Sequence, residues 1–207
     1  MKISIIVAMD EKRGIGKNGK IPWYIRDDLI KLKSLTKDHI VILGRKTYDS
    51  MIWYYDRSGK PMPGMLYIVI TRDEKYKPAR DNATVAQSVE NAIKIAKEEQ
   101  GHSSVIASTS ASLSINSAKQ SQVEGIASSP STSLRIPRND NNEVFIIGGG
   151  QIFQQALPLA DKLYLTIVKG DYDCDTFFPD YSEFKKVVSK ESKESEGHKY
   201  KFLEVKR

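Results

Sequence analysis

The sequence predicts an α/β fold: a central, mostly parallel sheet of about eight strands, flanked by helices, with an antiparallel C-terminal end. Three observations predict it. Short apolar, β-branched runs recur along the chain, as strands buried on both faces require. Segments of helical period stand between most of them, the alternation that builds parallel sheets. The last two runs follow one another with no helix between, so they pair antiparallel.

The elements follow in order. Ile3 to Met9 is a buried strand. Asp10 to Ile21 has no apolar period and holds Gly14, Gly16 and Gly19, so it reads as a long mobile loop. Pro22-Trp23 closes it. Asp27 and Asp28 open a helix to about Thr36, with Leu29, Leu32 and Leu35 on one face; acidic residues suit a helix N-terminus. His39 to Leu43 is the second strand, ended by Gly44-Arg45, and Thr47 to Ile52 a short helix. Trp53 to Met65 is turn-rich, with Gly59, Pro61, Pro63 and Gly64. Leu66 to Thr71 and Thr84 to Ala86 are strands, and Ser88 to about Glu99 a helix. Later come a strand at Glu143 to Ile147, a tight turn at Gly148 to Gly150, a helix from Gln151 to Ala160, and strands at Lys162 to Val168, Phe184 to Lys190 and Tyr200 to Val205.

Between these halves, at about 101–142, serine and threonine dominate, aromatics are missing and no period persists. Such a stretch buries too little apolar surface to offset its ordering entropy. It reads as a disordered or loosely packed insertion within one domain spanning residues 1–207. The alternative is an ordered surface loop, but one this long is unusual inside a compact domain.

Composition narrows the function classes. The chain has 207 residues, 40% hydrophobic and 28% charged, with 32 Lys plus Arg against 26 Asp plus Glu, a formal charge of +6. A small basic protein could bind nucleic acid or anionic small molecules, but the charge is spread along the chain with no basic block. The single cysteine, Cys174, cannot make an internal disulfide, and His39, His102 and His198 lie far apart. Neither zinc spacing nor a membrane or secretory segment is evident. A cytoplasmic protein with no metal site and no membrane segment is expected.

Three places carry chemistry. Asp28 could simply complement its helix dipole, as could Asp27. On the inward face beside Leu29 and Leu32, it could instead bind the edge of a protonated or amidine-like heterocycle by two hydrogen bonds, with burial raising its pKa. Gly44-Arg45-Lys46-Thr47 leads from a strand into a helix N-terminus, an anion site by geometry. Arg72 would share that edge if the second and third strands are neighbours, and together these cations could hold a phosphate such as the 2′-phosphate of NADPH. Ile147-Gly148-Gly149-Gly150-Gln151-Ile152 puts three glycines between strand and helix, more than a turn needs, so a backbone can approach a ligand closely. It is neither the dinucleotide fingerprint nor a P-loop.

These pieces, in this order, resemble dihydrofolate reductase over nearly the whole chain except the Ser-rich segment. The carriers are Ile6-Val-Ala8, Gly14-Ile-Gly16 to Ile21, Pro22-Trp23 with Asp28-Leu29, Gly44 to Thr47, Pro61-Met-Pro-Gly64, Ile147 to Gly150, Tyr164-Leu-Thr166 and Asp175-Thr-Phe-Phe-Pro179. The resemblance implies NADPH-dependent reduction of 7,8-dihydrofolate to tetrahydrofolate in one-carbon metabolism, by a cytoplasmic monomer that binds no nucleic acid. It implies that Asp28 hydrogen-bonds the pterin and supports protonation at N5, that Thr166 orients it, and that Trp23 and Ile21 enclose the reacting centre. It places Ile6, Leu32 and Lys60 at the substrate. It places Ala8, Ile15, Gly16, Asn18, Gly19, Lys20, Gly44, Arg45, Lys46, Thr47, Thr71, Arg72, Ile147, Gly148, Gly149, Gly150, Gln151, Ile152 and Phe153 at NADPH, with an unusual backbone geometry around Gly149. Asp175 falls where the family contacts its mobile loop.

The chain departs from the family's pattern in three places. Met65 stands where an arginine usually clamps the substrate's glutamate tail. A charge-assisted pair is worth about 1.5–3 kcal/mol, so its loss weakens binding by roughly 10- to 100-fold. Lys60 or Arg57 could substitute, or the substrate could be a pterin with another tail. Trp53 to Ser58 lengthen the loop before Lys60, and the 101–142 insertion lies away from the expected cleft. The alternatives are a reductase of a related pterin or of the riboflavin-pathway pyrimidine, and a non-catalytic protein that binds a partner through its basic surface or Ser-rich segment. Pro22-Trp23 with Asp28 argues against the riboflavin enzyme.

Overall fold

The structure is a computed structural model and describes residues 1–112 and 142–207, with the backbone alone for 102–112. The strands are β1 (Lys2–Asp10), β2 (Gly14–Gly16), β3 (Ile40–Gly44), β4 (Leu66–Ile70), β5 (Ala83–Ala86), β6 (Glu143–Ile146), β7 (Lys162–Val168), β8 (Thr176–Phe177), β9 (Lys186–Ser195) and β10 (His198–Lys206). The helices are α1 (Arg26–Thr36), α2 (Arg45–Ser58), α3 (Val89–Ser112) and α4 (Gly150–Ala156), the last running into a 3₁₀ turn at Leu157–Leu159.

Eight strands form one sheet in the order β5-β4-β3-β6-β1-β7-β10-β9. The first six are parallel, and β10 and β9 continue it antiparallel. The expected sheet and its antiparallel end are therefore present. Ile5, Ile40, Ile42, Ile68, Val144, Ile146, Leu163 and Leu165 are essentially inaccessible, as parallel strands covered on both faces must be. With six strands in parallel, the C-terminal ends of β1, β3, β4 and β6 open on one edge. That edge of an open α/β sheet is where ligands bind.

Five local expectations are corrected. The helix placed at Thr47 to Ile52 runs through Ser58, so Trp53 to Ser58 are helix rather than a lengthened loop. Nothing breaks it before Gly59, which takes the left-handed φ of +64° that ends helices. Arg57 lies over the Trp53 ring at 4.8 Å, a pair four residues apart on one face. The helix from Ser88 does not stop near Glu99 but continues to Ser112. Once nucleated, each added residue gains a hydrogen bond at little cost. So 101–112 belong to a helix, and the remaining stretch of the expected insertion, 113–141, lies outside the described residues. The helix drawn to Ala160 ends at Ala156 because Pro158 lacks the N–H that an α-helix needs.

The seventh strand lies at Lys186–Ser195 rather than 184–190. It is an edge strand exposed along nearly its whole length, so its Lys/Glu run carries no apolar signal; charges there discourage edge-to-edge pairing. Finally, the loop of 10–21 contains a strand. β2 pairs antiparallel with β8, Gly14 opposite Phe177 and Gly16 opposite Thr176.

Candidate active site

Asp28 sits in the first turn of α1. Its carboxylate accepts a hydrogen bond of 2.5 Å from the Thr166 hydroxyl on β7, while Thr166 itself is 3% exposed. Thr166 is opposite Ala8 in β1, so the carboxylate lies beside the centre of the sheet. Burial pushes the Asp28 pKa up; the Thr166 hydrogen bond and the nearby Lys31 charge pull against that. Asp27 does a different job. Its carboxylate accepts a 2.8 Å bond from the buried Tyr200 hydroxyl and fastens α1 to β10. The two neighbouring aspartates, open alternatives in sequence, are thus separated by what they touch.

Ile6, Phe145 and Tyr164 form a small buried cluster, with Leu32, Leu35 and Ile147 packed against it. These residues give the Asp28 side of the sheet an apolar floor. Trp23 is more buried than a cleft wall requires, at 8% exposed. Its ring meets Tyr172 edge to face at 5.0 Å and packs with Ile25, Val168, Tyr200, Phe202 and Ala8. Ile21 is 61% exposed, on the segment between β2 and α1. Lys60 is exposed just past the C-terminal end of α2. Met65 is half-buried against the main core, and its N–H bonds the His39 carbonyl at 2.9 Å; it is part of the packing.

The glycine turn is held by three elements. The Gly44 N–H donates to the Gly148 carbonyl at 2.8 Å, and the Ile147 N–H to the Ile42 carbonyl at 3.1 Å. The peptide between Gly148 and Gly149 is cis. A Cβ on Gly148, whose φ is +151°, would meet Thr47 Oγ1 at 3.2 Å, and one on Gly150 would meet Thr176 Cγ2 at 2.8 Å and Ile15 Cδ1 at 3.7 Å. The turn therefore packs on the N-terminus of α2 on one side and on the β2–β8 pair on the other, and a side chain at 148 or 150 would have to displace one of them. Ile152 and Phe153 are buried behind it, while Gln151 is exposed. Both N–H groups of 152 and 153 bond the Gly149 carbonyl.

Strands β3 and β4 are neighbours in register, Gly44 opposite Ile70. Arg45, Lys46, Thr71 and Arg72 therefore share one edge. Arg45 is already engaged: it pairs with Asp73 at 3.1 Å and faces the Tyr76 ring at 5.7 Å. Lys46 and Arg72 are exposed. Thr71 is 9% exposed, and its hydroxyl caps the Asp73 N–H at 3.1 Å. The free N–H groups at the start of α2, with these cations, make an anion site.

The segment holding Gly16, Asn18, Gly19 and Lys20 is strapped to the β7–β8 connection. Asp175 Oδ2 accepts from the Asn18 N–H at 2.6 Å, the Asp175 N–H donates to the Gly16 carbonyl at 3.0 Å, and Lys17 pairs with Asp173 at 2.7 Å. Asp10, 1% exposed, turns the chain by accepting from the Lys12 and Gly14 N–H groups at 2.9 and 2.7 Å. Sequence reasoning missed Thr176, Asp73 and Asp10. Their partners lie 26 to 28 residues away or in backbone groups, where no periodicity reaches. Among the described residues, no three His, Cys, Asp or Glu side chains gather as metal ligands, and no helix is long and apolar enough to cross a membrane.

Comparison with known proteins agrees with this geometry. The dihydrofolate reductase family profile matches residues 2–113 and 103–207. The chain is 30% identical to a dihydrofolate reductase of Staphylococcus haemolyticus over 204 residues, covering 98% of this chain and 92% of that protein. It is 29% identical to the Bacillus subtilis dihydrofolate reductase over 207 residues, covering 97% and 92%. Among solved structures, dihydrofolate reductase from Enterococcus faecalis, complexed with NADP(H) and RAB-propyl, superposes with a TM-score of 0.67 at 23% identity, covering 100% of this chain and 96% of that one. With its profile matched from β1 to the C-terminal strands and a relative 30% identical over nearly the whole chain, the chain belongs to the dihydrofolate reductase family.

Proposed function

We propose that the cleft beside Asp28 reduces 7,8-dihydrofolate to tetrahydrofolate, with NADPH as the hydride source. The observation that carries this reading is the Asp28–Thr166 pair, one partly buried carboxylate over an apolar floor and a glycine turn away from an anion site. Asp28 would take the polar edge of the pterin by two charge-assisted hydrogen bonds. Burial raises its pKa and so favours the protonated form, which lets it support delivery of the proton that N5 gains. Thr166 fixes the carboxylate's orientation. Ile6, Leu32 and Ile147 keep water from the ring.

NADPH fits the residues present. The glycine turn is packed between Thr47 and Thr176 with no side chain of its own to bar a ligand from its backbone, and Gly44 to Thr47 present a helix N-terminus to phosphate. Lys46 and Arg72 supply exposed charge, and Arg45 can do so by exchanging Asp73 for the ligand. When bound, the dinucleotide supplies the hydride that C6 accepts. Ala8, Ile15, Gly16, Asn18, Gly19, Lys20, Thr71 and Gln151 to Phe153 are the remaining residues that we assign to its cradle. A cytosolic monomer without nucleic acid suits the lone free Cys174 and the dispersed charge.

Asp28→Asn tests the reading. It should lower turnover at neutral pH by about 10²-fold or more, the ordinary contribution of a positioned proton donor, with circular dichroism unchanged. An unchanged rate of NADPH oxidation overturns it. Met65 favours a second reading, a related pterin with a different tail, because the tail-clamping arginine implied by the resemblance is replaced by a core-packed thioether. A panel of pterins with and without the glutamate tail, followed by NADPH absorbance, separates the two.

A further inference from the structure

The exposed side of α1 carries a charged groove of about 340 Å³, lined by Asp27, Ile30, Lys31, Ser34, Glu191, Lys193 and Phe202. The catalytic reading leaves it unused. Lys31 is its centre: the ammonium stands 3.9 Å from the centroid of the Phe202 ring, and Lys193 approaches the same ring at 5.6 Å. Phe202 in β10 is paired in register with Thr166 in β7. Directly paired residues share a face of the sheet, so the ring that holds Lys31 lies beside the hydroxyl that holds Asp28. Lys31 is also three residues after Asp28, and residues so spaced are neighbours on a helix.

The carboxylates around this pairing have partners of their own. Asp27 is bonded to Tyr200 at 2.8 Å, Glu191 to Lys193 at 3.2 Å and Glu204 to Lys162 at 2.6 Å. Each of the other carboxylates facing the groove thus has its own partner. Among the described residues, Lys31 is the cation that acts on Asp28. The attraction is mutual: burial lowers the Lys31 pKa, Asp28, then Glu204 and Glu191, raise it back, and the neighbouring Lys193 charge lowers it.

We propose that Lys31 is a positioning residue for the reaction: its ammonium, pinned over Phe202 one helical turn from the carboxylate, sets how readily Asp28 takes up and gives up its proton. The inference rests on the role given to Asp28 above. A cation stabilises the ionised carboxylate, so Lys31 works against burial. It holds part of the Asp28 population ready to release its proton rather than locked in the acid form.

The test is a ¹³C-carboxylate NMR titration of Asp28 in the ligand-free protein, with the pH dependence of NADPH oxidation alongside. Lys31→Met should move the Asp28 midpoint to higher pH. One pH unit above the native midpoint, the protonated fraction should rise roughly two- to threefold, and the share of the low-pH rate retained there should rise with it. Lys31→Gln should do the same and serves if the Met variant folds poorly, while Lys31→Arg should restore the native midpoint. Superimposable midpoints for native protein and Lys31→Met overturn the proposal, even if the variant is slower, because lost packing over Phe202 changes rate without moving a titration. If the native protein is inert toward dihydrofolate, the catalytic reading fails, and the titration still decides the role of Lys31.

Discussion

Asp28 illustrates how one side chain can serve function at the expense of stability. Its pKa is raised in the folded protein, so the fold favours the protonated form. That stabilisation is fully present below the ordinary carboxylate pKa and is lost as pH rises through the raised value. Above that raised value the native protein holds an ionised group in a place that prefers it neutral. Asn has the same shape, still accepts from Thr166, and never ionises. Asp28→Asn should melt about 1–3 °C above native at pH 7.5, and the gap should close toward pH 4. Thermal melts across that range check it; a variant that melts lower at pH 7.5 would show that the carboxylate is stabilising. Composition alone left open whether Asp28 serves its helix dipole or a ligand, since Asp27 suits the dipole equally well; the resemblance favoured the ligand. What no local pattern could show is the partner of each, on β7 and β10, 138 and 173 residues away.

At the scale of elements, legibility followed burial. β7 lies at Lys162–Val168, as the pattern places it, because five of its seven residues are fully buried and apolar or Thr. β9 was misplaced because its exposed Lys and Glu residues carry no period-2 signal. β2 and β8 were missed because strands of three and two residues are defined by their pairing alone. That pairing matters to the glycine turn. Gly150 touches Thr176 of β8 so closely that a Cβ there would stand 2.8 Å from the Thr176 methyl. Gly150→Ala should push β8 and its partner β2 away from the turn, at a cost of about 1–3 kcal/mol. NADPH binding should weaken by roughly tenfold or more, with dihydrofolate binding changed far less. Fluorescence titration with each ligand distinguishes this from general damage, which would weaken both.

For the molecule as a whole, the arrangement of the sheet places the recognised motifs on one edge. Glycine turn, helix cap, Arg72 and the strapped β2 segment all follow C-terminal strand ends, although they are scattered from residue 14 to residue 176. The order of motifs was legible, but their convergence depended on β6 inserting between β3 and β1, which no single segment states. The same arrangement puts Asn142, just ahead of β6, at the other edge, where its carbonyl accepts from the Lys2 N–H at the start of β1. Replacing 113–141 with a short flexible linker should leave the NADPH dissociation constant within about twofold of native; a larger loss would place that stretch in contact with the site.

The length of α3 has a practical side. Its 24 residues span about 36 Å at 1.5 Å per residue, whereas β4 and β5 beside it, of five and four residues, span about 17 Å or less. Starting after β5 at the ligand edge, the helix overshoots the opposite edge by about a strand's depth. It forms a built-in standoff. A dye, bead or fused reporter attached near its far end would sit well clear of the entering substrate. The enzyme could then be anchored to a surface by that end with its cleft facing the solution.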